Sequence, residues 1–187
     1  MQQSKSRIEK TVLWGAGLTS VAMSPFISYE PIILPRLVIL TIFGVSLMLL
    51  LSIHHKNLIK DEHKKILIVL SSFILWSFIS AVFSHLSFVD AFFGVFGRNN
   101  ALLTYLMFIV FIIATMFISN IKFIRSLLLV MVFIGVLSAI YGFMQSIGID
   151  PFGWISENII VFGFFGNPNF QASFMGITAT VAFAYLL

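Results

Sequence analysis

Residues 37–53 read LVILTIFGVSLMLLLSI, seventeen positions without a charge. Comparable charge-free runs fill residues 66–83, 101–118 and 126–147, and shorter or more interrupted ones fill 11–27 and 170–187. Such a run has few stable homes. About 20 apolar residues in a helix cross the hydrocarbon of a bilayer, and a helix satisfies every backbone group within its own segment. Barrel strands are shorter and alternate apolar with polar positions, a pattern these runs lack. Soluble domains carry about 25% charged residues, whereas this chain carries 10%, with 59% hydrophobic residues among 187. No soluble core of this size hides so much apolar surface. The expected fold class is all-α: a polytopic transmembrane helix bundle of about six spans. They form a single integral membrane domain over residues 1–187.

The basic residues orient that bundle. Lys5, Arg7 and Lys10 precede the first run; Lys56, Lys60, Lys64 and Lys65 lie between the second and third; Lys122 and Arg125 lie between the fourth and fifth. Nine of the eleven Lys and Arg residues thus fall on one side, leaving Arg36 and Arg98 on the other. The positive-inside rule makes the N-terminus cytoplasmic, in a multi-pass protein of the cytoplasmic (inner) membrane. The net charge of +4 is explained by this skew, and no nucleic-acid motif accompanies it, so nucleic acid is not an expected partner; the lipid bilayer is. A basic start before a short apolar run also describes a signal peptide. Pro25 directly after Ala22–Ser24 is unfavourable for cleavage, so an uncleaved first span is expected. There are no cysteines, hence no disulfide framework and no thiolate metal site.

Two stretches stand out at the entrances of apolar runs. GVFGRNN (94–100) precedes the fourth run and GFFGNPN (163–169) the sixth, and they share Gly, Phe, Gly and the final Asn. Asn100 stands where an N-cap belongs. Asn167 followed by Pro168 reads as an N-cap with proline at the first helical position. Both helices are expected to start at the outer face, with their positive dipole ends and unpaired N–H groups outward. Arg98 adds a permanent charge with a fork suited to phosphate. One reading is an external anion site formed by Arg98, Asn99, Asn100, Asn167 and Asn169. The other is a pair of ordinary turns and caps, with phenylalanines and Trp154 as interfacial belt residues.

GRNNALLTYL, followed later by FGFFGNPNFQASFMGI, resembles the O-antigen ligase and polymerase family of bacterial membrane proteins. The family's R-x-x-G-L-x-x-Y-L-like and F-G-N-P-N-x-x-A-x-x-L-like elements recur here with similar spacing, Ala101 standing in place of the usual glycine. The resemblance covers roughly residues 88–187. It implies a GT-C-like polytopic glycosyltransferase that takes a glycan donor linked to undecaprenyl diphosphate. Such enzymes pass the glycan to a glycan, lipid or protein acceptor in cell-envelope polysaccharide biosynthesis, without metal or other cofactor. The family carries about a dozen spans and a large external loop with essential Arg and His residues. The chain is therefore expected to be the N-terminal portion of such a protein. On that reading its catalytic residues are unknown and the chain is expected to be inactive alone. A polysaccharide or lipid transporter subunit, or an inactive truncated membrane protein, is the alternative.

Other polar residues carry less. His54, His55 and His63 with Asp61 and Glu62 match no ligand spacing and read as a solvated loop among lysines. His85, Asp90, Asp150 and Glu157 are external titratable groups of the type that activates a hydroxyl. The six runs contain no charge, which disfavours a proton relay. Tyr105, Tyr141 and Gln145 suit either helix contacts or a substrate groove, and Gly15, Gly17 and Gly44 suit close helix packing. No P-loop, nucleophile elbow or dinucleotide fingerprint occurs.

Overall fold

The computed structural model describes residues 2–24, 30–54, 61–118, 120–152, 154 and 161–186. They form seven α-helices: α1 Gln2–Val21, α2 Ile33–His54, α3 Asp61–Phe83, α4 Phe88–Phe93, α5 Leu102–Met116, α6 Ile121–Ser146 and α7 Pro168–Leu186. A single 3₁₀ turn, Gly163–Phe165, precedes α7, and there is no strand among the described residues. The all-α class stands. Each of the six apolar runs overlaps a helix; α4 is an additional short helix that the runs do not announce. Three helical segments are long and apolar enough to cross a membrane: Ile33–Ile53, His63–Phe83 and Ile121–Ser146. Leu102–Met116 is apolar but shorter. Helices of this length and composition make the chain a membrane protein.

Helix ends depart from the apolar runs for local reasons. Pro31 and Pro35 punctuate residues 28–36 as a turn would, yet α2 begins at Ile33 and takes in Pro35 and Arg36. Proline is tolerated in a first turn because the N–H it lacks has no intrahelical acceptor there. A spanning helix thereby contains an arginine, which the charge-free runs do not anticipate. The polar start also joins α1: Ile8 and Val12, one turn apart, are both 1% exposed. The rest of the first run, residues 25–27, lies outside the described residues.

The chain divides into two compact units. The first comprises Met1–Ala16 and Leu37–Asn120. Its core gathers Ile8, Val12, Leu40, Leu47, Met107 and Ala114. Glycines let helices approach here as expected: a Cβ on Gly15 meets Phe111 at 2.6 Å and Phe43 at 2.9 Å, and one on Gly44 meets the Met107 sulfur. α3 packs on α4 and α5. Phe73 meets Tyr105 edge-on at 5.8 Å. Leu75, Phe78 and Val82 are exposed along α3, as lipid-facing residues are.

The second unit comprises Gly17–Arg36 and Ile121–Leu187. The buried stripe of α6 runs Ile134, Gly135, Ser138, Tyr141, Gly142, Gln145, a helical period of three and four. α6 packs on α7 and on the 3₁₀ turn. Small residues set the approach: a Cβ on Gly135 meets Thr178 Oγ1 at 2.6 Å. Lipid provides no hydrophobic drive for helix association, so small residues and interhelical hydrogen bonds take over. Ser138 Oγ donates to Gln171 Oε1 at 2.7 Å, and Gln171 Nε2 donates back to the Ser138 carbonyl at 3.2 Å.

Candidate functional site

The GVFGRNN stretch belongs to the first unit. Ser87 opens α4 by accepting from the Asp90 N–H at 3.1 Å and donating its own hydroxyl to Asp90 Oδ2 at 2.8 Å, a reciprocal cap. Gly94 ends α4 at φ 94°, its N–H on the Asp90 carbonyl. A Cβ there meets the backbone of Asn99 and Asn100 at 2.6–2.7 Å. The chain then folds back tightly: the N–H groups of Arg98 and Asn99 both donate to the Val95 carbonyl. Asn99 sits at φ 45°, a conformation asparagine tolerates better than most residues. Its carbonyl accepts from Thr104 Oγ1 at 2.7 Å.

This geometry corrects one expectation. The N-cap of α5 is Ala101, without a side-chain cap bond, not Asn100. The left-handed Asn99 turns the chain, and the extended Ala101 delays the first helical residue to Leu102. Asn99 is 8% exposed. Among the described residues its amide nitrogen reaches only the Phe93 carbonyl at 3.5 Å, and its Oδ1 is buried without a partner. Arg98 and Asn100 are exposed. Arg98 makes no side-chain hydrogen bond or ion pair among the described residues.

The GFFGNPN stretch belongs to the second unit and is built differently. Asn167 caps α7: its Oδ1 accepts from the Asn169 N–H at 2.8 Å, and its carbonyl accepts from the Gln171 N–H at 3.0 Å. Pro168 occupies the first helical position, as expected. The Asn167 oxygen is thus committed to the helix, while Asn169 is exposed. The preceding turn is held from below. Gln145 Oε1 accepts from the N–H groups of Phe162 and Gly163 at 3.1 and 2.9 Å. Its Nε2 donates to Asp150 Oδ2 at 2.9 Å. Asp150 Oδ1 also accepts from Tyr141 Oη at 3.1 Å and from the Phe152 N–H at 3.0 Å. Trp154 Nε1 donates to the Tyr141 hydroxyl at 2.9 Å. Gln145 and Tyr141 therefore tie the end of α6 to the segment that follows it and to the turn before α7, and Asp150 is a strut whose two oxygens are occupied. Glu157 lies outside the described residues.

Sequence reasoning missed two residues here. Arg36 donates through Nη2 to the carbonyls of Ser20 (2.9 Å) and Phe164 (2.6 Å) and through Nε to that of Ala22 (3.3 Å). Its guanidinium lies 5.0 Å from the centre of the Phe165 ring. Carbonyls at the end of α1 lack helical partners, and a cation there answers both need and dipole. The arginine tied to the second stretch is therefore Arg36. Gln171 is the other omission. The signal for both was their isolation: a lone amide or lone cation in an apolar context needs a partner. Among the described residues no group of His, Cys, Asp or Glu is arranged to hold a metal.

The five residues of the expected anion site thus divide between the units. Arg98, Asn99 and Asn100 fall in one, Asn167 and Asn169 in the other. No family model, curated protein or solved structure matches the chain at a significant level.

Proposed function

We propose that the chain is the N-terminal membrane portion of an O-antigen ligase- or polymerase-like protein, a GT-C-like bundle of six spans with a cytoplasmic N-terminus. It handles glycans linked to undecaprenyl diphosphate. Two motifs carry this reading, and the observation that supports it most is Arg98. It is an exposed cation, unengaged by any described residue, on a tight turn just ahead of a helix whose first turn has no side-chain cap. An arginine fork beside unpaired helical N–H groups suits a diphosphate.

The test is binding of undecaprenyl diphosphate to the full chain in nanodiscs. Arg98→Ala should abolish it, and Arg98→Lys should recover part, because lysine keeps the charge but not the fork. Binding by Arg98→Ala at the wild-type level overturns the reading. Orientation has its own check: a cysteine at Ser87 should react with an impermeant thiol reagent from outside, and one at Asn57 only after permeabilisation. The reverse pattern inverts the bundle.

A further inference from the structure

The first unit contains a cleft of about 300 Å³ between the end of α3, α4 and the start of α5, the lower end of the usual range for small-molecule sites. Its lining includes Trp76, Ser77, Ser80, Asp90, Asn100 and Tyr105. Ser77 and Ser80 are one turn apart on α3, a helix of membrane-spanning length and composition. Among the described residues, the side-chain polar groups of Trp76, Ser77, Ser80, Asn100 and Tyr105 make no hydrogen bond. Asp90 uses one oxygen on Ser87 and keeps the other. Serines in a helix usually return their hydroxyls to a carbonyl one turn back, as Ser46 and Ser173 do here. Several unused donors and acceptors thus face one cleft, open to water or to a ligand.

The set of groups selects among ligands. An anion is disfavoured by the Asp90 carboxylate. A quaternary ammonium suits an acidic group between aromatic faces but leaves the hydroxyl and amide donors unused. A sugar ring uses all of them. Its hydroxyls donate to a carboxylate and accept from serine, amide and phenol, and its apolar C–H face lies on an indole or phenol ring. Trp76 and Tyr105 present such rings, 71% and 43% exposed.

We propose that this cleft binds the sugar headgroup of a membrane glycolipid. As a subsite for a glycan donor it rests on the function proposed above; as a receptor for a neutral sugar it stands on these residues alone.

The experiment is competition between lipids of identical acyl chains for the full chain in nanodiscs, read by native mass spectrometry. The lipids are monoglucosyl diacylglycerol, diacylglycerol and phosphatidylcholine. The glucosyl lipid should be retained about tenfold over diacylglycerol. Trp76→Ala should lower that preference about two- to tenfold, the span an aromatic face provides. Ser80→Ala, an exposed position that leaves packing untouched, should lower it too. Trp14→Ala, outside the cleft, should not. Equal retention of glucosyl lipid and diacylglycerol overturns the proposal. So does a winning choline lipid, which would mark an ammonium site, and so does a preference indifferent to both Trp76→Ala and Ser80→Ala. Arg98→Ala separates the two proposals, because the glucosyl lipid has no phosphate. It should lose undecaprenyl diphosphate and keep the sugar preference. Sugar preference without diphosphate binding in the wild-type chain sinks the donor reading and leaves the cleft standing; the converse sinks the cleft alone.

Discussion

The two Gly-Phe-Gly-Asn stretches look alike in sequence and are opposite in construction. In GFFGNPN the turn is anchored inward, although the Asn169 side chain is exposed. Asn167 caps its helix, Gln145 holds the turn's N–H groups, and Arg36 takes the Phe164 carbonyl. In GVFGRNN the turn is held by backbone bonds to the Val95 carbonyl and by the Thr104 hydroxyl on the Asn99 carbonyl, and Arg98 and Asn100 stand exposed. Identical letters at matching positions thus serve different ends. The shared glycines mark backbone that must turn before a helix, and the polar residues around them decide whether the turn is anchored or displayed.

The largest effect expected from this contrast is at Arg36. Arg36→Met strands three carbonyls that share one charged donor, and hydrogen bonds to charged groups contribute about 1.5–3 kcal/mol each, non-additively. The loss should be about 3–5 kcal/mol in reversible unfolding in mixed micelles, with Arg98→Ala leaving the midpoint in place. Equal losses at the two arginines would erase the distinction between an anchored and a displayed entrance.

Gln145→Leu comes next. It leaves the N–H groups of Phe162 and Gly163 buried and unpaired, each costing about 1–3 kcal/mol. A destabilisation of about 2–4 kcal/mol should appear in the same assay. Hydrogen exchange should rise at Phe162 and Gly163 and stay unchanged at Arg98 and Asn99. Exchange that rises equally at all four positions would mean that the amide acts on general stability and not on this turn.

Much of the fold was legible because lipid allows so few solutions. A charge-free run in an apolar chain is a helix, and each of the six runs overlaps one. Helix termini were less legible, since caps and local turns set them: Pro35 reads as a stop but sits in a first turn, and the left-handed Asn99 moves the start of α5 past Asn100. Asn167 was readable because cap and proline reinforce each other within two residues. The Arg36 contacts were not, because they join residues 14, 16 and 128 positions apart, and no local pattern encodes such pairings.

Gly94 offers a sharper probe of the displayed entrance. Its φ of 94° is one that L side chains rarely adopt, and the atoms a Cβ would meet are backbone, which cannot swing aside. Gly94→Ala should cost about 1–3 kcal/mol, the usual range for strained backbone. It should also alter the environment of Asn99 in NMR. An unchanged Asn99 signal would show that the turn tolerates another backbone path, and that the glycine is shared between the stretches without being required in both.

The smallest effect separates the two asparagines themselves. Asn167→Ala removes a side-chain cap whose oxygen lies 2.8 Å from the Asn169 N–H, and such losses run about 0.5–2 kcal/mol. Asn100→Ala removes an exposed side chain that caps nothing, since Ala101 is the cap of α5, so the change should stay within about 0.5 kcal/mol. Helix fraying in the first turn of α7, read by exchange at Asn169 and Gln171, should follow the Asn167 variant only. A destabilisation at Asn100 as large as at Asn167 would mean that it caps α5 after all, in a turn different from the one described, and the two entrances would be alike in construction as well as in letters.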